Sequence, residues 1–121
     1  MDTMHGIIET AAKGQDFHLL LGDFLDAFYR AGTAERQAMI AARPGDAMPG
    51  LLPYAAATAH KLANDYGLTV PAWVFEKRCY SQQPFFGCKA RANLRLLFMY
   101  QSPTEFKHRN LFVDENVLAR V

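Results

Sequence analysis

The sequence predicts a mostly helical protein. We expect a compact helical bundle forming a single domain over residues 1–121, with a long aromatic-rich connection and a short extended piece near the C-terminus. In several segments apolar side chains recur at the three- and four-residue spacing of amphipathic helices, and capping residues, glycines and prolines separate these segments. The chain of 121 residues, half of them apolar and 21% charged, has the length and composition of one globular domain with its own core.

Two helices are predicted in the N-terminal part of the chain. The first spans residues 2–13, with Asp2 as its N-cap and Gly14 just beyond its end. The second spans residues 16–31 and starts at Asp16, a favourable N-cap residue. Its buried face is predicted to carry apolar side chains at i, i+3, i+4, i+7 and i+11, namely Phe17, Leu20, Leu21, Phe24 and Phe28.

Two further helices are predicted before residue 70. Thr33 is placed to cap the third, Ala34–Ala42, which stops before a loop rich in proline and glycine at residues 44–50. The fourth spans residues 51–66. It is predicted to end in a Schellman motif, because Gly67 is followed by an apolar residue.

Beyond residue 70, an irregular connection leads into another helix. Residues 71–88 form a long connection in which residues 72–75 are a short turn or helix, and its aromatic side chains favour packing onto the core. Residues 89–101 are apolar on most sides, which predicts a helix at the centre of the bundle.

Three short elements are predicted at the C-terminal end. The capping box Ser102-Pro103-Thr104-Glu105 predicts a short helix that ends near His108. Residues Leu111–Val113 are predicted to be extended. Asp114 is placed to cap a last helical turn, Glu115–Arg120.

The near-neutral formal net charge of +1 conceals an uneven distribution. Residues 1–70 contain 5 basic and 8 acidic side chains, a net charge of −3, whereas residues 71–121 contain 8 basic and 4 acidic side chains, a net charge of +4. The second part also holds 9 of the 15 aromatic residues. This distribution predicts that a partner would bind to the basic, aromatic part of the chain.

The N-terminus lacks the basic and apolar regions of a secretory signal, and no apolar run is long enough to cross a bilayer. We therefore expect a cytoplasmic protein, in which Cys79 and Cys88 are reduced structural thiols. A zinc site using these cysteines would need two more ligands. His60 and His108 are candidates, but no pair has the short spacing typical of zinc ligands, so no metal and no cofactor is expected.

The sequence contains none of the common catalytic motifs that we sought. A glycine-rich phosphate loop, a His-Glu-x-x-His pair and a Gly-x-Ser-x-Gly turn are absent from it. Asp23 and Asp26 fit a solvated helix face better than a pair of catalytic carboxylates. A nucleophilic cysteine would need a histidine nearby, which the sequence does not place. A non-enzymatic protein is favoured, and a small enzyme stays a third hypothesis.

Residues 76–95 interleave five cations with aromatic side chains. Such a segment can bind phosphates and stack on bases, but its residue types are also those enriched at protein–protein hot spots. The sequence pI of 7.8 is below the value typical of nucleic-acid-binding domains, which favours a protein partner. The predicted partner-binding residues are Trp73, Arg78, Tyr80, Phe85, Phe86, Arg91, Arg95 and Arg109. For Trp73 and Phe86, the alternative is that they belong to the hydrophobic core and do not contact a partner.

A helix-turn-helix is a further possibility for residues 16–43. The second helix of this unit would present Arg36 and Gln37 to base edges. The net negative charge of the first part of the chain disfavours this hypothesis, because it repels a phosphate backbone.

From Phe24 onward the sequence resembles a domain found in many small bacterial proteins of unassigned function. The matching segments cover most of the chain; they are Phe28-Tyr29, Arg36–Ile40, Gly67–Val74, Tyr80, Pro84–Phe86, Ser102-Pro103, Phe106 and Arg109–Asp114. The Pro-Ala-Trp-Val and Arg-Asn-x-Phe-Val-Asp pieces are the most specific. In that family the domain often follows a helix-turn-helix module and is often encoded beside a nucleotidyltransferase-like protein.

The resemblance implies an antitoxin-like or regulatory role and supplies no catalytic residues. Too few residues precede Phe17 for a DNA-binding module, so we expect the domain to stand alone and to act by binding a partner. The sequence thus predicts a non-enzymatic protein-interaction module, and the resemblance implies that it is one half of a toxin–antitoxin-like pair. Nucleic-acid binding through the basic C-terminal face is the alternative.

Overall fold

A computed structural model describes residues 3–86, 99, 101–114 and 116–119, and this part of the chain is mostly helical, as predicted. Its α-helices are α1 (Met4–Ala12), α2 (Phe17–Arg30), α3 (Thr33–Ala41), α4 (Leu52–Asp65) and α5 (Thr104–Lys107). Short 3-10 turns occupy Pro49–Leu51, Ala72–Phe75 and Lys77–Cys79. The helix predicted over residues 89–101 lies outside the described residues, except for Met99 and Gln101, which are helical.

The helix ends follow local capping rules, with two corrections to the predicted caps. Asp16 caps α2 as predicted, because its carboxylate accepts hydrogen bonds from the backbone N–H groups of the next turn. The N-cap of α1, however, is Thr3, whose hydroxyl accepts from the Gly6 N–H at 2.9 Å. Thr33 is the first residue of α3 rather than its cap, and Gly32 precedes it without a side-chain hydrogen bond.

Helix α4 ends in the predicted Schellman motif. Gly67 has a φ of 67°, and the Leu68 N–H donates to the Ala63 carbonyl at 2.8 Å. The helix is the centre of the described core, since every residue from Ala55 to Ala59 is fully buried. Small alanine side chains on all sides let neighbouring segments approach it closely, including α5 and the turns at residues 72–79.

The prediction of a capping box at the start of α5 is wrong, because the box does not form. The Ser102 hydroxyl donates to the Val113 carbonyl at 3.1 Å and accepts from the Val113 N–H at 2.9 Å. Pro103 is the residue before the helix and no side chain caps it, while the Glu105 carboxylate accepts from the Asn64 amide at 2.9 Å. Both polar side chains of the motif therefore bind distant parts of the chain instead of the helix end.

The C-terminal segment is extended and then turns, broadly as predicted. Strand β2 (Leu111–Phe112) pairs in parallel with β1 (Phe85–Phe86), a strand within the segment predicted to be irregular. After β2, the Asp114 carboxylate accepts from the Asn116 N–H at 2.8 Å. Residues 116–118 form a turn rather than the predicted helical turn.

We predict that Gly67→Ala lowers the free energy of unfolding by about 1–2 kcal/mol, the cost of a left-handed backbone for a residue with a Cβ atom. A Cβ atom at this position meets no other atom, so backbone strain alone is tested. The measurement is urea unfolding followed by circular dichroism. Gly50→Ala is the control, because a Cβ atom there also meets no neighbour and its φ is not positive. Equal effects of the two substitutions would contradict the prediction.

Candidate functional site

Trp73, a predicted contact residue, is buried in the fold. It is 4% exposed and its indole N–H donates to the Ile40 carbonyl at 3.0 Å. This bond ties the 72–75 turn to the end of α3 and satisfies the one polar atom of the side chain. Trp73 is therefore a core residue, which is the alternative that the sequence left open.

Arg109, another predicted contact residue, is 1% exposed. Its Nη1 donates to the Glu105 carbonyl and its Nη2 to the Val74 carbonyl, both at 2.8 Å. The guanidinium carbon lies 5.0 Å from the ring centroid of Tyr80, in a cation–π arrangement. Burial lowers the pKa of Arg109. The side chain holds segments of the fold together and is not available to a partner.

Arg78 uses its hydrogen-bond donors within the chain. Its Nε donates to Glu76 and its Nη1 to Asp46, both at 2.7 Å. The same guanidinium donates to the carbonyl groups of Pro44 and Gly45, at 2.7 Å and 3.2 Å. This fork fixes the loop between α3 and α4 against the 76–79 turn.

The aromatic members of the predicted contact set are more accessible. Tyr80 is 36% exposed and Phe85 is 43% exposed, whereas Phe86 is half-buried with its ring 5.3 Å from that of Phe112. The two remaining predicted residues, Arg91 and Arg95, lie outside the described residues.

Phe85 forms one wall of an apolar pocket of about 180 Å³, which we call the Tyr54 pocket. The pocket lies between the start of α2, the start of α4 and the two short strands. Its described lining consists of Phe17, His18, Gly50, Leu51, Pro53, Tyr54, Ser81, Phe85 and Leu111.

Four of the nine described lining residues of the Tyr54 pocket are aromatic, and their rings are arranged edge-to-face around Tyr54. The Tyr54 ring meets the rings of Phe17, His18 and Phe85 at centroid distances of 6.0, 6.3 and 6.4 Å, with interplanar angles of 86–90°. Edge-to-face contacts at these distances are favourable. On its other side, Tyr54 contacts the buried Phe106 at 5.3 Å. The core thus supports the ring that contacts the other three aromatic rings of the described lining.

The pocket wall is weakly polar. Burial raises the pKa of Tyr54, so its phenol stays neutral at physiological pH, and the Ser81 hydroxyl donates to the Gln83 carbonyl at 2.6 Å. His18 is exposed at the rim. Among the described lining residues there is no carboxylate, ammonium or guanidinium group. Such a wall suits binding of a neutral apolar group.

The position of Phe85 beside Tyr54 depends on backbone pairing with the C-terminal segment. The Phe85 N–H donates to the Asn110 carbonyl at 2.9 Å, and the Ser81 N–H donates to the Arg109 carbonyl at 3.2 Å. The Asn110 side chain donates to the Ser81 carbonyl at 3.0 Å. Sequence analysis singled out Phe85 but missed Tyr54 and His18, since no local pattern indicates contacts between residues so far apart in the chain.

The two side chains that the helix-turn-helix hypothesis assigns to base reading make hydrogen bonds within the fold, which disfavours that hypothesis. Arg36 donates to the carbonyl groups of Phe28 and Tyr29 at 2.9 and 3.0 Å, and its guanidinium carbon lies 4.7 Å from the Tyr66 ring centroid. The Gln37 amide bonds both backbone polar groups of Thr69 at 2.9 Å. Both side chains are engaged in holding α3 to its neighbours.

Other polar groups give little support to catalysis or metal binding. Cys79 is buried, its thiol donates to the Trp73 carbonyl at 3.4 Å, and burial raises its pKa, which disfavours a reactive thiolate. No group of three or more His, Cys, Asp or Glu side chains in the described part of the chain could hold a metal ion. Cys88, the other cysteine considered for zinc, lies outside the described residues.

No family model, curated protein or solved structure matches the chain. The resemblance to a bacterial domain therefore stays a prediction from the sequence. Within the described residues, no helix is long and apolar enough to span a membrane.

We predict that Arg109→Lys lowers the free energy of unfolding by about 2 kcal/mol, because a single ammonium group cannot replace a planar fork that reaches two carbonyl groups. The matched control is Arg43→Lys. Arg43 is an exposed arginine paired with Glu76 at 2.8 Å, and we expect its substitution to change stability much less than Arg109→Lys does. Chemical denaturation measures both, and equal effects would contradict the internal role of Arg109.

We predict that protonation of His60 destabilises the fold. Burial lowers the pKa of His60 below its usual value of 6.5, and the charges of Arg109 and His108 lower it further, while Glu105 opposes them. The unfolded chain then binds the proton more readily, so stability is lost as the pH falls through about 6.5. Denaturation between about pH 7.5 and about pH 5 should show a smaller loss for His60→Gln than for the wild type. An identical loss in both proteins would refute this.

Proposed function

We propose that the protein is a non-enzymatic protein-interaction module whose contact surface is centred on the Tyr54 pocket. The observation that carries this proposal is an apolar pocket, walled by aromatic rings from three parts of the chain, that opens to solvent beside the exposed side chain of Phe85. Binding energy at protein interfaces concentrates in such places, where a few anchors enter well-formed apolar pockets.

The internal use of arginines favours this proposal over nucleic-acid binding. Arg78 and Arg109, two cations of the basic C-terminal part, direct their hydrogen bonds to carbonyl and carboxylate groups of the chain itself. Phosphate binding needs cations that are free to contact the backbone of the nucleic acid. The predicted contact surface therefore rests on the accessible aromatic residues, Phe85 and Tyr80.

The resemblance found in the sequence suggests what kind of partner would bind. A bacterial, cytoplasmic partner of the nucleotidyltransferase-like class would make this chain the antitoxin-like or regulatory half of a pair. In that arrangement the module needs a specific surface and no catalytic group of its own, which agrees with an apolar pocket free of charged groups among its described lining residues.

We predict that Phe85→Ser reduces capture of the partner by about tenfold or more, while Phe75→Ser leaves it unchanged, because removal of a hot-spot residue costs at least 2 kcal/mol. Phe75 is a matched control, since it is 54% exposed and does not line the Tyr54 pocket. The tagged full-length chain and each variant would be expressed in the source organism, and captured proteins quantified by mass spectrometry.

Salt distinguishes the two classes of partner in the same experiment. Capture through an apolar pocket should persist between about 0.1 and 0.5 M salt, whereas nucleic-acid binding weakens steeply over this range. Capture of nucleic acid that is lost at high salt, or capture of one protein equally by both variants, would contradict the proposed function.

A further inference from the structure

The size of the Tyr54 pocket restricts what can fill it. Its volume is about 180 Å³. An apolar protein cavity of about 150 Å³ holds one benzene molecule. One six-membered ring with a small substituent therefore suits the volume of the Tyr54 pocket.

The geometry of the walls favours an aromatic ring over an aliphatic group of similar volume. Tyr54 is approached edge-to-face by Phe17, His18 and Phe85, so ring faces and ring edges line the same space. An aromatic guest can continue this edge-to-face arrangement. Each such ring–ring contact adds binding free energy beyond that of the apolar area it buries. A saturated ring can gain the burial but not the ring–ring contacts.

The described part of the pocket wall favours a neutral ring. The described lining residues include no carboxylate, ammonium or guanidinium group, so a charged guest would lose its hydration without gaining a counter-ion. A phenol is compatible with the pocket because the Tyr54 and Ser81 hydroxyls and the His18 imidazole are among its polar groups.

We propose that the Tyr54 pocket binds one phenyl or phenol ring, supplied by a Phe or Tyr side chain of the partner protein. This inference rests on the proposed function for the source of the ring. The ring site itself can be tested without the partner, so the failure of one proposal can be told from the failure of the other.

The test is an NMR titration of the full-length, isotopically labelled chain with p-cresol, the side-chain analogue of tyrosine. The matched probe is 4-methylcyclohexanol, which has a similar size and a hydroxyl group but lacks the aromatic ring. We expect p-cresol to shift the signals of Tyr54, Phe85 and His18 saturably, with a dissociation constant of about 1 mM, as is typical of a fragment of this size. 4-Methylcyclohexanol should bind about fivefold more weakly.

Two pairs of variants locate the site. Phe85→Ala should weaken p-cresol binding about fivefold, whereas Phe75→Ala should not change it. Gly50→Leu adds a side chain to the pocket lining and should also weaken binding, whereas Gly32→Leu, away from the pocket, should not. A Cβ atom at either glycine meets no other atom, so both variants are expected to fold.

The outcomes separate the two proposals. If p-cresol fails to bind, or if 4-methylcyclohexanol binds equally well, the aromatic-ring inference is overturned, even where capture of a partner depends on Phe85. If p-cresol binds as expected and competes with the captured partner, the inference is supported. If p-cresol binds but no protein is captured through Phe85, the ring site stands and its assignment to a partner's side chain is overturned.

Discussion

The buried guanidinium of Arg109 joins parts of the chain that are far apart in sequence. It bonds the Glu105 carbonyl in α5 and the Val74 carbonyl in the 72–75 turn, and it packs on the Tyr80 ring. Removing this cation from water is costly, and no carboxylate among the described residues pairs with it. Charge-assisted bonds to two carbonyl groups offset that cost.

The position of Arg109 also determines one wall of the Tyr54 pocket. Its own carbonyl accepts from the Ser81 N–H, and the next carbonyl, that of Asn110, accepts from the Phe85 N–H. These bonds start the short parallel pairing of β1 with β2 and set Phe85 against Tyr54. The segment that carries Arg109 therefore supports the pocket through its backbone, although Arg109 does not line the pocket.

Sequence reasoning succeeded where structure is decided by near neighbours. Asp16 caps α2 and Gly67 ends α4 because the groups that they satisfy lie within a few residues. It failed at Ser102, whose hydroxyl bonds the backbone of Val113, just beyond β2, instead of the adjacent helix end. It also could not show that Arg78 and Arg109 hydrogen-bond within the chain, because composition counts cations without showing where their hydrogen bonds go.

The Tyr54 pocket belongs to the part that could not be predicted. Its rings come from α2, α4 and β1, and their meeting depends on long-range backbone pairing rather than on any local pattern. Phe17 could be placed in a buried stripe from the sequence, but the same pattern does not tell whether a buried ring faces the core or a pocket.

Most of the pocket wall is held in place by the core before anything binds. Tyr54 packs on the buried Phe106, and Phe17 belongs to the core itself. A wall built from such side chains loses little conformational freedom when a guest enters, so more of the contact energy remains as affinity. Of Phe17, Tyr54 and Phe85, only Phe85 has an exposed side chain, but strand pairing fixes its backbone. A pocket that is rigid in this way discriminates by shape, which suits recognition of one side chain better than promiscuous binding of many.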